Sequence, residues 1–298
     1  MISLYRFLFI LIVLIVSNYE KAQSQNSTFK VLMTQGVVEG MKPATTTWFR
    51  IYPTIELPSQ TKIRLSANSY ATFLSSESVL VEFDKKGNYV LLPTKKAKQV
   101  SSFQKISNFV NQAMKSGTQS DLAGSIVRNV GKVQVQFPFD TKLLGPSVQL
   151  RWQAAKATNF EVKITDEGGK NVYTKSTKDS TLTINLLNDI REFKRGVCYY
   201  WTVSNPSITS SSSAPMCLMY HDEETVQRLE KERKQIAEEL SISDKSALSW
   251  YVLGAWNEDK KLYIDALECY THSSKLQPNV DIYKNAVNSF IKKFQTMH

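Results

Sequence analysis

The side chains in this chain best suited to chemistry are three cysteines and three histidines, and their spacing offers little of it. No His-Glu-x-x-His, Gly-x-Ser-x-Gly, phosphate-cradling glycine loop or Cys-x-x-Cys occurs. Cys217 and His221 stand four apart, a spacing that suits a metal only on a helix, whereas the run around them alternates like a strand. His272 and the terminal His298 have no partner in sequence. No catalytic, cofactor-binding or metal-binding residue is therefore assigned, and the chain reads as a non-enzyme. Cys198 and Cys217 lie in two strand-like runs, 197–203 and 216–220, separated by the turn-rich residues 205–213. Folded as a hairpin, these runs would set the two sulfurs opposite one another for a disulfide. The alternative is two small buried hydrophobes, and Cys269, alone on an expected helix, reads as such a core filler.

The elements that must position these residues are clearest at the C-terminal end. With Ala247 as first position, Trp250, Leu253, Gly254, Ala266, Tyr270 and Pro278 fall where a repeat of about 34 residues sets its large, small and helix-ending side chains. The stretch resembles a tetratricopeptide repeat, with Asn257 where that family usually has Tyr and Ser273 where it has a small Ala. The resemblance implies a helical hairpin that binds protein. A single repeat cannot bury both of its faces, so its neighbours must help. One is an expected helix over 223–240, with an apolar stripe of Val226, Leu229, Ile236 and Leu240 interrupted by Arg233. The other, from residue 281, carries Ile282, Ala286, Phe290 and Phe294. The concave face of this four-helix fragment either takes a peptide or caps the preceding domain.

Upstream the hydrophobic period is two. Residues 29–93 alternate in short runs punctuated by Pro43, Pro53, Pro58 and Pro93, with Gly36 at a turn or bulge. About six strands are expected, the last entered by a hairpin turn at Lys86-Gly87-Asn88. The glycine-containing first hairpin and the later Ser69-Tyr70-Ala71-Thr72-Phe73 strand resemble the FecR-like β-domain of bacterial envelope proteins. That resemblance implies an interaction module without catalytic residues. Residues 132–220 alternate again through Leu150-x-Trp152, Phe160-x-Val162-x-Ile164, a Gly168-Gly169 turn and Tyr200 with Val203. They resemble a fibronectin type III-like sandwich, which implies a spacer or binding module. Trp152 and Trp201 fall on its inward face, as core rather than ligand stackers. Between the β-segments, 94–131 reads as an amphipathic helix, Phe103 to Met114 on its apolar face, followed by a Ser/Gly linker.

Arg6 and the apolar run 7–16, followed by Ala22-Gln23-Ser24, read as a signal peptide over 1–24. Three cysteines fit an exported chain. The formal charge of +10 is concentrated between 85 and 142, where ten Lys or Arg face Asp121 and Asp140. The fold class is thus multidomain β plus α: a small all-β module, a β-sandwich, and a C-terminal helical repeat hairpin with flanking helices over 221–298. The function that follows is a non-enzymatic exported scaffold or adaptor, periplasmic or at the cell envelope, with a protein partner. The alternative is a surface or secreted binder of an anionic polymer, glycan or lipid head groups, through the basic 85–142 region. No nucleic acid is expected, because aromatics do not alternate with the lysines. Membrane contact is expected only through an uncleaved leader.

Overall fold

The computed structural model describes residues 27–77, 79–93, 133–153, 159–207, 212–239 and 246–295. The leader at 1–24, the amphipathic helix and linker at 94–131, and residues 240–244 at the expected helix junction lie outside them. Among the described residues the architecture is several β-sheets followed by a four-helix region.

The first segment folds as eight short strands: β1 Thr28–Gln35, β2 Val38–Met41, β3 Phe49–Arg50, β4 Glu56–Pro58, β5 Lys62–Leu65, β6 Tyr70–Ser75, β7 Leu80–Phe83 and β8 Gly87–Val90. They form two four-stranded sheets, β4-β1-β6-β7 and β3-β2-β5-β8. Phe29, Val31, Val38, Ile63, Leu65 and Phe73 fill the space between, since alternation sends every second side chain inward. Gly36 turns β1 into β2 at φ +72°, and a Cβ there would lie 2.6 Å from Ser69 Oγ. The turn expected around Lys86-Gly87-Asn88 is not a hairpin. β7 pairs with β6 and β8 pairs with β5, so the chain there crosses from one sheet to the other. Local turn chemistry marks a reversal but cannot say which sheet receives the next strand.

β6 is buried along its whole length. Ala71 and Phe73 face the core of the module, while Tyr70 and Leu74 on its other side belong to a second cluster shared with the helices.

The second segment contains β9 Gln134–Phe137, β10 Thr141–Leu143, β11 Ser147–Gln153, β12 Phe160–Thr165, β13 Asn171–Thr177, β14 Thr181–Asn185, a single-turn helix α1 Leu186–Asp189, β15 Cys198–Ser204 and β16 Met216–Tyr220. A three-stranded sheet, β14-β11-β9, faces a five-stranded one, β10-β16-β15-β12-β13, whose β10–β16 pair is parallel. β11 alternates exposed and buried without a break, placing Val148, Leu150 and Trp152 inside. Trp152 and Trp201 are 2% and 0% exposed, and both lie in the sandwich core.

Four helices follow: α2 Glu223–Glu239, α3 Ala247–Asp259, α4 Tyr263–Leu276 and α5 Asp281–Gln295. Asp222 begins α2, its carboxylate accepting from Thr225 N at 2.8 Å and Thr225 Oγ1 at 2.9 Å. Those hydrogen bonds hold its carboxyl below the usual carboxylate range. Ser246 caps α3 by accepting from Ser249 N. The helices do not trail behind the β-modules. One continuous cluster of buried side chains joins β6, the sandwich, α3, α4 and α5.

Candidate functional site

The hairpin of α3 and α4 is held at the positions the repeat pattern singles out. Gly254 lies against Tyr270, and a Cβ on it would stand 2.7 Å from two ring carbons, so only glycine admits this approach. Ala266 is fully buried, and Pro278 lies just past the end of α4, exposed. Trp250 stacks at a tilt on His272, with ring centroids 4.4 Å apart. Tyr270 donates to Glu258 at 2.8 Å, and Glu258 also receives Lys293 from α5 at 2.7 Å. The two departures from the repeat pattern are both used. Ser273, fully buried, donates to the carbonyl of Ala247 at 2.8 Å, and buried Asn257 donates to Cys269 Sγ at 3.4 Å. Burial raises the Cys269 thiol to about 12, which leaves it unreactive.

Arg233, the polar interruption in the α2 stripe, reaches α4 and pairs with Asp265 at 2.8 Å. Leu229 from the same stripe is buried with Leu253, Trp256 and Cys269. Among the described residues a groove of about 330 Å³ lies between α2 and α3, lined by Glu230, Arg233, Lys234, Ala237, Trp250 and Leu253. Trp250 and Leu253, both signature positions, form its apolar floor, and charges of both signs form its rim.

The opposite side of the helical region is occupied by the rest of the chain. Against the first module, Glu82 of β7 accepts from Tyr70 OH at 2.5 Å and from the backbone N–H of Leu248 at 3.0 Å. That carboxylate thus meets one of the free donors in the first turn of α3, where the helix dipole favours negative charge. The hydroxyls of Tyr70 and Tyr283 lie 2.9 Å apart, and Gln35 bridges Asn279 O and Asp281 N at 2.7 Å each. Against the sandwich, Lys142 N donates to Lys261 O at 2.9 Å. Thr141 Oγ1 accepts from Tyr263 N at 3.1 Å. None of Glu82, Gln35 or Thr141 carries a local signal, because the helix groups each of them meets lie more than a hundred residues away.

Cys198 and Cys217 sit diagonally on adjacent antiparallel strands, joined by a disulfide with Cα atoms 5.6 Å apart. Four residues on, at the end of β16, His221 lies at the boundary with α2, its N–H donating to Leu143 O at 3.2 Å. Burial, and then the charge of Lys142, lower its pKa. Among the described residues no group of three His, Cys, Asp or Glu side chains is placed to hold a metal. Of the ten cations between 85 and 142, only Lys85, Lys86 and Lys142 lie among the described residues.

No protein-family model and no curated protein sequence matches the chain. Among solved structures it is similar to the chicken CNTN1 FN1–FN3 domains at 11% identity and a TM-score of 0.20, over 66% of this chain and 56% of that one. It is also similar to the BSP domain of a biofilm-associated protein at 9% identity and a TM-score of 0.21, over 66% of this chain and 25% of that one. The chain therefore spans about half of the first and a quarter of the second. The likeness is weak, is to β-sandwich architecture, and says nothing about activity or partner.

Proposed function

We propose that this chain is a non-enzymatic, exported scaffold or adaptor of the bacterial envelope that works by protein–protein contact. The observation that carries the reading is the groove between α2 and α3. It lies beside α2 on the side of the helical hairpin turned away from the chain's own β-modules, which pack on the other. An apolar floor with a rim of mixed charge suits a peptide or helix that places one apolar anchor on Trp250. The tetratricopeptide-like signature supports that use, and the FecR-like and fibronectin type III-like patterns support an envelope setting. The disulfide and the leader-like first residues favour an oxidising compartment. Among the described residues no helix is long and apolar enough to cross a membrane.

A photo-crosslinking residue placed at Ala237 in the groove, and as control at exposed Lys175 on β13, tests this in envelope fractions. The reading expects a discrete adduct from position 237 that is absent from position 175 and lost when Lys234→Glu is added. Equal labelling from both positions, or none from 237, overturns it. The anionic-polymer reading makes a separate forecast, salt-sensitive binding to acidic polysaccharide or anionic vesicles at low ionic strength. It rests on charge count alone.

A further inference from the structure

A second cavity lies where one end of the sandwich meets α4 and α5. It measures about 570 Å³, within the range of about 300–1,000 Å³ usual for small-molecule sites. Trp152 and Phe160, packed edge to face at 5.6 Å, line it on the sandwich side. Leu267 of α4 and Ile291 of α5 line it on the helical side. Arg151 and Lys178, both exposed, are its charged residues among the described ones, and no described Asp or Glu lines it. Among the described residues only the Nε of Arg151 is engaged, with Gln149 at 2.9 Å, which leaves the forked end of the guanidinium to face an oxyanion. The indole N–H of Trp152, in the same wall, is buried without an acceptor among the described residues. Trp201 has the same unpartnered N–H but does not line the cavity, so the charge pattern carries more weight than the indole.

We propose that this cleft binds a small amphiphilic anion, a carboxylate head with an unbranched apolar tail. The head sits between Arg151 and Lys178, and the tail lies along Phe160, Leu267 and Ile291. Two cations select the sign of the head, and the apolar side chains that both domains place beside polar Gln136, Gln153, Ser180 and Thr181 reward a tail that leaves water. Because the walls come from the sandwich and from the helices, the ligand would tie the two together. This site is separate from the α2–α3 groove and does not depend on it.

The test is calorimetric titration of the full chain with dodecanoate below its micellar concentration, beside dodecanol and dodecyltrimethylammonium. Dodecanoate is expected to bind once per chain and at least tenfold more tightly than either control. Arg151→Glu combined with Lys178→Glu should cut dodecanoate binding at least tenfold. Both side chains are exposed, and an unchanged circular dichroism spectrum and melting temperature would confirm that the variant is folded. Three results overturn the proposal: equal binding of the neutral or cationic amphiphile, undiminished dodecanoate binding in the double variant, or displacement of dodecanoate by a short polyglutamate peptide. The last would make the cleft a site for acidic protein segments.

Discussion

The hydrogen bonds that tie the helices to the first β-module run mainly through side chains, whereas those at the α3–α4 turn meet the sandwich at backbone groups and one hydroxyl. At the first seam, Tyr70, Glu82 and Tyr283 form a buried cluster, and Glu82 also holds the start of α3. At the second, Lys142 and Lys261 pair through their main chains, Thr141 supplies one hydroxyl, and elsewhere a cleft lies between the sandwich and α4 and α5. A side-chain seam depends on a few residue identities. A backbone seam survives most substitutions and leaves room for something else to bind. The first is thus the specified joint, and the second the adaptable one.

That difference can be pressed hardest with pH. Tyr70 and Tyr283, both at the first seam, keep their protons well above the ordinary value of 10.0, chiefly because burial penalises the phenolate. Above pH 10 the unfolded chain loses these protons while the folded chain retains them. Stability is therefore complete below that pH and falls as pH rises, by up to about 1.4 kcal/mol per pH unit for each tyrosine. Urea midpoints between pH 9 and 11 should drop steeply, and a flat profile would show that the tyrosine cluster is not closed. Next in size, Tyr283→Ala removes a fully buried ring packed on Tyr70 and Tyr251, and should cost about 3–5 kcal/mol in equilibrium denaturation.

Glu82→Ala leaves the Leu248 N–H without its acceptor and should cost about 1–3 kcal/mol. Thr141→Val, its counterpart at the sandwich seam, should cost about 1 kcal/mol. Equal losses from the two would erase the distinction between the seams. The smallest effect is expected at acid pH. The folded value of His221 lies below its ordinary 6.5, so as pH falls the unfolded chain is protonated first. Its contribution is complete above pH 6.5, declines below it, and levels off once the folded imidazole also charges. Melting curves at pH 7 and 5.5 should separate further for the wild type than for His221→Gln.

What could be read from the sequence was whatever a single element decides. The alternation of β11 marks a strand with one buried face, and Gly254 with Tyr270 marks a close helical pair, because each pattern is local and periodic. β6 was equally visible as a strand, yet its second buried face was not, since the side chains that cover it come from α3 and α5. The hairpin expected after Phe83 failed for a related reason, because strand partnership is settled by distant strands. Arg233 looked like a flaw in a stripe until Asp265 was seen opposite it. Both cavities bring together residues from separate stretches of chain, so neither has a signature that a reader of the sequence could find.

β6 also sets a timetable. Tyr70 and its partner Tyr283 are 213 residues apart. At about 5–20 residues per second, a ribosome would make the first module roughly ten to forty seconds before the helix that covers it. For that interval Tyr70 and Leu74 would lack the helices that cover them and would lie partly in water. The nascent chain would then need a chaperone or a holding factor most while its N-terminal half is finished and its last helix is still unmade.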